Sequence, residues 1–294
     1  MQQNSMADKV GTQDADVWDI SITSGRGYMD VNMAELWRYR DLLLMFVKKD
    51  IVTVYKQTLL GPVWFVVQPI FTAIMFTIVF GTVAKIGTGE VPPLLFYLGS
   101  LTMWNYFSET LNITSKTFTD NASIFGKVYF PRLILPLSKV VSGLAKFMIQ
   151  FALFIVVWLY YLLVKHSIAP TAHILLVPVL LLTISFMSLG FGLFITSMTT
   201  KYRDLTFLVS FGVQLLMYAS PVIYPLSTIS EQNRVWMWLN PLTSLFETFK
   251  FAFFGKGAIV SIPWLLYSIT FTLVLLVAGI LVFNKMEKRF IDTV

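Results

Sequence analysis

Polar and apolar positions divide the chain into three unequal parts. Residues 1–33 are polar and acidic, with Asp8, Asp14, Asp16, Asp19 and Asp30 against Lys9 and Arg26, and Ser24-Gly25-Arg26-Gly27 suits a loop. No apolar core follows the start Met as a signal peptide would require, so this part reads as a cytoplasmic arm. Residues 34–58 are amphipathic. At about 100° per residue, Arg38, Asp41, Lys48, Lys49 and Lys56 share a face, Leu42, Met45, Phe46, Val52 and Tyr55 lie elsewhere, and Arg40 and Asp50 break the stripe. A basic face with Trp37 and Tyr39 near one end predicts a helix lying in the headgroup layer. From 59 to 294 the chain is a succession of apolar runs.

A bilayer crossing needs about 20 predominantly apolar residues. Stretches between charges predict six crossings, over 57–84, 91–108, 147–164, within 166–200, 205–230 and 257–284. The shorter ones extend past flanking charges that can snorkel. A seventh apolar piece, 235–246, is too short to cross and is cut by Asn240-Pro241. Residues 231–255 therefore read as a re-entrant pair of short helices, with Trp236 and Trp238 at headgroup level and Asn240 and Pro241 at the break. The fold class is an all-α integral membrane protein of six spans.

Lysine and arginine are distributed unevenly about these spans. Arg38, Arg40, Lys48, Lys49 and Lys56 precede the first, and Lys116, Lys127, Arg132, Lys139 and Lys146 lie between the second and third. Lys201 and Arg203 follow the fourth, and Lys285, Lys288 and Arg289 follow the sixth. The other side has only Lys85, Lys165, Arg234, Lys250 and Lys256. The positive-inside rule places both termini in the cytoplasm.

Composition closes off other classes. Hydrophobic residues make up 56% and charged residues 13%, about half the charge share of a soluble domain. With a mean hydropathy of +0.71, neither a soluble core nor a disordered chain fits. There is no Cys, so disulfides, thiolate zinc sites and thiol nucleophiles are excluded. The only histidines are His166 and His173, with no H-E-x-x-H spacing. The net charge of +6 reports topology rather than a nucleic-acid partner.

Nucleotide chemistry is also missing. A P-loop needs G-x-x-x-x-G-K-[ST], and the Gly-Lys pairs at 126–127 and 255–256 lack the hydroxyl residue and the first glycine. No D-x-D or D-x-x-D lies in or at the end of a span, and no selectivity-filter segment is present. Glu109 and Glu247 are isolated membrane-proximal acids that invite a functional reading, although paired or hydrated interfacial positions account for them more simply. The matches to the glycosylation sequon at Asn112 and Asn121 fall on the cytoplasmic side and are chance. What the spans offer instead is aromatic rings, whose faces suit a sugar polymer that must slide.

These residues resemble a known family. The segment 121–136, with Gly126-Lys127-Val128 and Phe130-Pro131-Arg132, closely resembles the loop after the second span of bacterial ABC-type polysaccharide export permeases, the exporters of O-antigen, capsule and teichoic acid. Gly61-Pro62, Trp64 and Pro69 at span one, Tyr202-Arg203-Asp204-Leu205 after span four, Ser220-Pro221-Val222-Ile223-Tyr224-Pro225 after span five and Asn240-Pro241-Leu242 follow the same order as in that family. The resemblance covers residues from about 35 to the C-terminus and leaves the acidic arm outside.

The resemblance implies a homodimer with a continuous channel, driven by two copies of a separate ATPase subunit. That subunit would hold ATP and Mg, with no cofactor, metal or catalytic residue on this chain. It also implies a coupling helix at about 121–135, for which Ile124, Phe125, Lys127, Val128, Phe130 and Arg132 are the expected contacts. Arg38, Arg40, Lys48, Lys49 and Lys56 would form a basic collar, either anchoring to anionic headgroups or guiding the pyrophosphate of a polyprenyl-linked polysaccharide. Spans one and five would face the dimer axis, with Phe71, Phe211, Tyr218 and Tyr224 towards the sugar. The resulting expectation is an O-antigen-like polysaccharide exporter subunit of the bacterial inner membrane. The alternatives are a drug or small-lipid exporter permease and, less favoured, a membrane enzyme acting on polyprenyl-linked glycans.

Overall fold

In the computed structural model, residues 33–56, 61–125, 127, 130–199, 202 and 204–291 are described, and the elements among them are helices without a strand. The arm up to residue 32, Val128, Lys201 and Arg203 lie outside the described residues, as does the side chain of Phe125.

The amphipathic segment forms α1 (Met33–Arg38) and α2 (Arg40–Lys56). Helical hydrogen bonds continue through Tyr39, whose N–H donates to Glu35 O at 3.1 Å and whose carbonyl accepts from Leu43 N at 3.1 Å. A 3-10 turn at Gly61–Val63 leads into α3 (Trp64–Phe76), which continues as a π-helical stretch over Thr77–Val83. Pro69 sits inside α3 and cannot donate to the preceding turn. Then come α4 (Pro93–Thr114), the short α5 (Thr117–Asp120) and α6 (Ala122–Phe125), and α7 (Ile134–Leu163). They are followed by α8 (Val177–Thr199), α9 (Leu205–Tyr218), α10 (Glu231–Trp238), α11 (Pro241–Phe254) and α12 (Ile262–Ile291).

Among the described residues, four helical runs are long and apolar enough to cross a membrane: Trp64–Val83, Ile134–Leu163, Ala172–Thr199 and Ile262–Met286. Two of the six expected crossings differ. The helix α4 has 22 residues, enough in length, but carries Asn105, Glu109 and Asn112 among its apolar positions. It tolerates them because it is the hub of the bundle, with Leu95, Phe96, Tyr97, Trp104 and Phe107 all buried. The helix α9 has 14 residues and so rises about 21 Å. The expected stretch 205–230 stops being helical at Ala219, where the chain turns through Ser220 and Pro221.

The main core joins α4 to α7, α8 and α11. Phe154 of α7 meets Phe253 of α11 edge-on at 5.0 Å, and the Trp158 indole donates to Phe253 O at 2.7 Å. Tyr106 and Ser185 share a 2.7 Å hydrogen bond between α4 and α8. A second cluster gathers Phe46 of α2, Phe118, Phe130, the start of α7, the end of α8 and Phe283 of α12. The start of α7 therefore lies at the same end as the ends of α8 and α12, so α7 runs opposite to both while α8 and α12 run the same way, and α2 lies at that end too.

The pair α8–α12 makes the most extensive helix contact in the bundle. Lipid supplies no hydrophobic drive for helices to associate, so close backbone approach must do so. Gly190 and Gly279 permit it: a Cβ on Gly279 would lie 2.6 Å from Gly190 O. Gly279→Val should therefore lower thermal stability by the roughly 1–3 kcal/mol of an overpacked contact. The expected readout is an earlier unfolding midpoint in detergent and less protein in the membrane fraction; an unchanged midpoint would contradict the packing assignment.

Candidate functional site

At the α2 end, the basic residues Arg38, Arg40, Lys48, Lys49 and Lys56 are all exposed. The Arg40 guanidinium lies 5.6 Å from the Trp37 ring centre and donates to Trp37 O at 3.4 Å. Asp50, which broke the stripe in the sequence, faces the bundle. Lys139 of α7 donates to both of its carboxylate oxygens at 2.8 Å, and the Ser142 hydroxyl adds a 3.2 Å bond. One turn pair further along α7, Lys146 pairs with Glu109 of α4 and sits 5.3 Å from the Phe65 ring centre. Two ion pairs thus join α2, α7 and α4, and Glu109 already has its counter-charge.

Within the expected coupling segment α6 covers Ala122–Phe125, and Ile134 and Leu135 already belong to α7. Lys127 is exposed, while Ile124 and Arg132 are half-buried. Phe130 is only 5% exposed and packs 6.0 Å from Phe46, so its apolar surface is covered within the chain rather than left for a partner.

At the opposite end, α10 and α11 meet at Leu239-Asn240. Trp236 is exposed, whereas Trp238 is buried and stacks on Trp264 at 6.0 Å with planes 9° apart. Asn240 caps α11 by accepting from Leu242 N at 3.0 Å, and its amide donates to Ala219 O at 2.9 Å and Ser220 Oγ at 2.8 Å. Pro241 occupies the first turn, where its missing N–H leaves no gap.

Glu247 and Lys250 of α11 form an ion pair with both side chains almost fully buried, at 0% and 1% exposure. Lys250 also donates to Pro221 O at 2.9 Å and lies 4.7 Å from the Phe96 ring centre. Glu247 accepts from Ile259 N at 2.9 Å. The pair holds together the turn after α9, α11, α4 and the loop before α12. Lys250 read in the sequence as a charge on the outer side; its spacing of three from Glu247 on an apolar helix was the signal that the two pair inside.

The aromatic residues expected to line a channel lie on the least-covered helices. Phe71 of α3 is 64% exposed, and Phe211 and Tyr218 of α9 are 58% and 51% exposed. Tyr224 is half-buried, and its hydroxyl donates to Tyr218 O at 2.8 Å. Among the described residues, no group of three or more His, Asp and Glu could hold a metal.

Several helices long and apolar enough to cross a membrane, with the membrane-proximal acids held in ion pairs, make this a multi-pass membrane protein. Residues 41–254 match the ABC-2 type transporter family, and the chain belongs to that family as a membrane transport subunit rather than an enzyme. Membership implies a separate ATPase subunit as partner. The chain is 28% identical over 262 residues to the O-antigen export system permease protein RfbA of Myxococcus xanthus, covering 88% of this chain and 98% of that protein. Two proteins of the same name from Klebsiella pneumoniae are each 26% identical over 254 residues, covering 86% of this chain and 94% of theirs.

Removing one partner of a buried ion pair leaves the other uncompensated, at about 3–5 kcal/mol. Lys250→Met should therefore sharply reduce folded protein in the membrane, and the double variant Glu247→Gln with Lys250→Met should recover much of it. Quantitative immunoblotting with unfolding in detergent would check this; equal losses in the single and double variants would mean that the charge pairing is not what matters.

Proposed function

We propose that this chain is the transmembrane subunit of an exporter for an O-antigen-like, lipid-linked polysaccharide. Near-complete coverage of O-antigen export permeases by a chain of matching length is the observation that supports this best. The chain acts as a homodimer with two copies of the partner ATPase, which binds ATP and Mg. It crosses the bacterial inner membrane six times, with both termini cytoplasmic. The end shared by the start of α7 and the ends of α8 and α12 supports this path, with α4 shielded at the centre and α9 completed by the turn that follows it. The helices α10 and α11 dip into the outer leaflet as a re-entrant gate, supported by the break at Asn240-Pro241 and the internal satisfaction of Lys250.

The exposed aromatic faces of α3 and α9 meet across the dimer axis and present Phe71, Phe211 and Tyr218 to the polymer, with Tyr224 at the outer end. Ring faces give many weak contacts, each about 1 kcal/mol by analogy with base stacking, and so guide a sliding chain without trapping it. On the cytoplasmic side the loop around Ile124, Phe125, Lys127, Val128 and Arg132 seats on the ATPase, and α2 anchors the collar in the headgroups.

Deleting the chain should leave lipid-linked polysaccharide on the cytoplasmic side, visible as intracellular polymer with none at the surface. Accumulation of a drug or small lipid instead would favour the other exporter class. Phe71→Leu and Phe211→Leu should each slow export several-fold with membrane abundance unchanged, by pulse labelling against immunoblot; abundance falling in step with export would assign these rings to packing. Lys127→Glu should weaken co-purification of the ATPase while leaving the permease itself intact, and full retention would remove that loop from the contact.

A further inference from the structure

A cavity of about 320 Å³ lies between α2, the start of α3, the end of α4 and α7, with no residue of α9 in its wall. Lys49, Thr53 and Ile113 at its mouth are exposed. Its wall has two characters. Phe65, Ile113, Ala145 and Ile149 make it mostly apolar, and Lys49, Asp50, Glu109, Lys139 and Lys146 add charge. Lys139 and Lys146 already hold Asp50 and Glu109, so the surplus is a single positive charge, on Lys49, which has no carboxylate partner among the described residues. Thr110 also lines the cavity, but its hydroxyl is fully enclosed against Gly143 and does not reach into the space. The cavity thus pairs an apolar wall with one unbalanced cation.

From these features we infer that the cavity holds one acidic phospholipid of the surrounding leaflet. Its phosphodiester meets Lys49, and an acyl chain lies along Phe65, Ile113 and Ile149. A phosphodiester carries one negative charge and matches the single surplus, whereas a diphosphate carries more than the two committed lysines leave available. A soluble anion would make no use of the apolar wall. The assignment rests on α2 lying at the membrane surface and is independent of which cargo is exported. The bound lipid would wedge the interface helix against α7 beside the Asp50–Lys139 pair.

The test uses the full chain with its ATPase in nanodiscs of mixed phosphatidylglycerol and phosphatidylethanolamine, followed by delipidation and native mass spectrometry. The expected result is retained phosphatidylglycerol, reduced about fivefold by Lys49→Ala, the scale of one lost surface charge. Lys48→Ala removes the same charge from the next position, outside the cavity wall, and should leave retention unchanged. Ala145→Phe fills the space without touching a charge and should abolish retention at an unchanged unfolding midpoint; if it does not fold, the two lysine variants decide. Equal loss in both lysine variants, or equal retention of phosphatidylethanolamine, overturns the site. Displacement by inorganic phosphate makes it a free-anion site and also overturns the lipid assignment. Displacement by a polyprenyl diphosphate would move the cavity onto the cargo path, overturning the lipid assignment while leaving the export reading intact.

Discussion

Hydrocarbon offers no water to a stranded charge or backbone donor, so each polar group carried into the bundle must be answered by another part of the same chain. That requirement organises this protein more than apolar packing does. Asp50 is answered by Lys139, Glu109 by Lys146, and Glu247 by Lys250, and each answer ties together elements far apart in sequence or locks a turn in place. Asn240 does the same without charge, capping α11 while its amide holds the turn after α9. The apolar faces could slide past one another by a turn with modest loss, but these pairings fix one register.

The resulting arrangement is uneven by design of its contacts. At one end, α2 and the short helices gather around Phe46, Phe130 and Phe283, bringing the basic interface helix against the bundle. At the other, α11 is buried on nearly every side although its length and charges would not suggest it. Between them α3 and α9 keep large ring faces uncovered. Such faces are what the proposed pairing of two copies would use, since a fully self-satisfied bundle would have nothing to present to a second copy.

Much of the architecture was legible because apolar runs longer than a bilayer crossing leave little choice of element, and the family could be recognised from short motifs in order. The ends were less legible. Charges were read as boundaries that a span passes only slightly, as α4 does at Glu109, yet α7 begins well before Lys139 and Lys146, because a paired charge does not end a helix. Asp50 looked like noise in an amphipathic stripe, and its reason lay on a helix some ninety residues away, beyond any local pattern. Phe130 read as a coupling contact, and nothing in the sequence says that Phe46 packs against it. The lengths of α9 and its following turn depended on Lys250 claiming the Pro221 carbonyl, which is again a long-range fact.

The helix α7 is 30 residues long and therefore rises about 45 Å, against a hydrocarbon core of about 30 Å. Its only Gly/Ser pair, Ser142-Gly143, lies between Lys139 and Lys146, and beyond Lys146 it has no proline, glycine or serine to invite a kink. That stretch behaves as a stiff rod gripped near one end by Lys146 and near the other by Phe154 and Trp158. A torque that reaches Lys146 is not absorbed as bending beyond it. It must emerge as rotation at the far end, where Trp158 holds the backbone of α11.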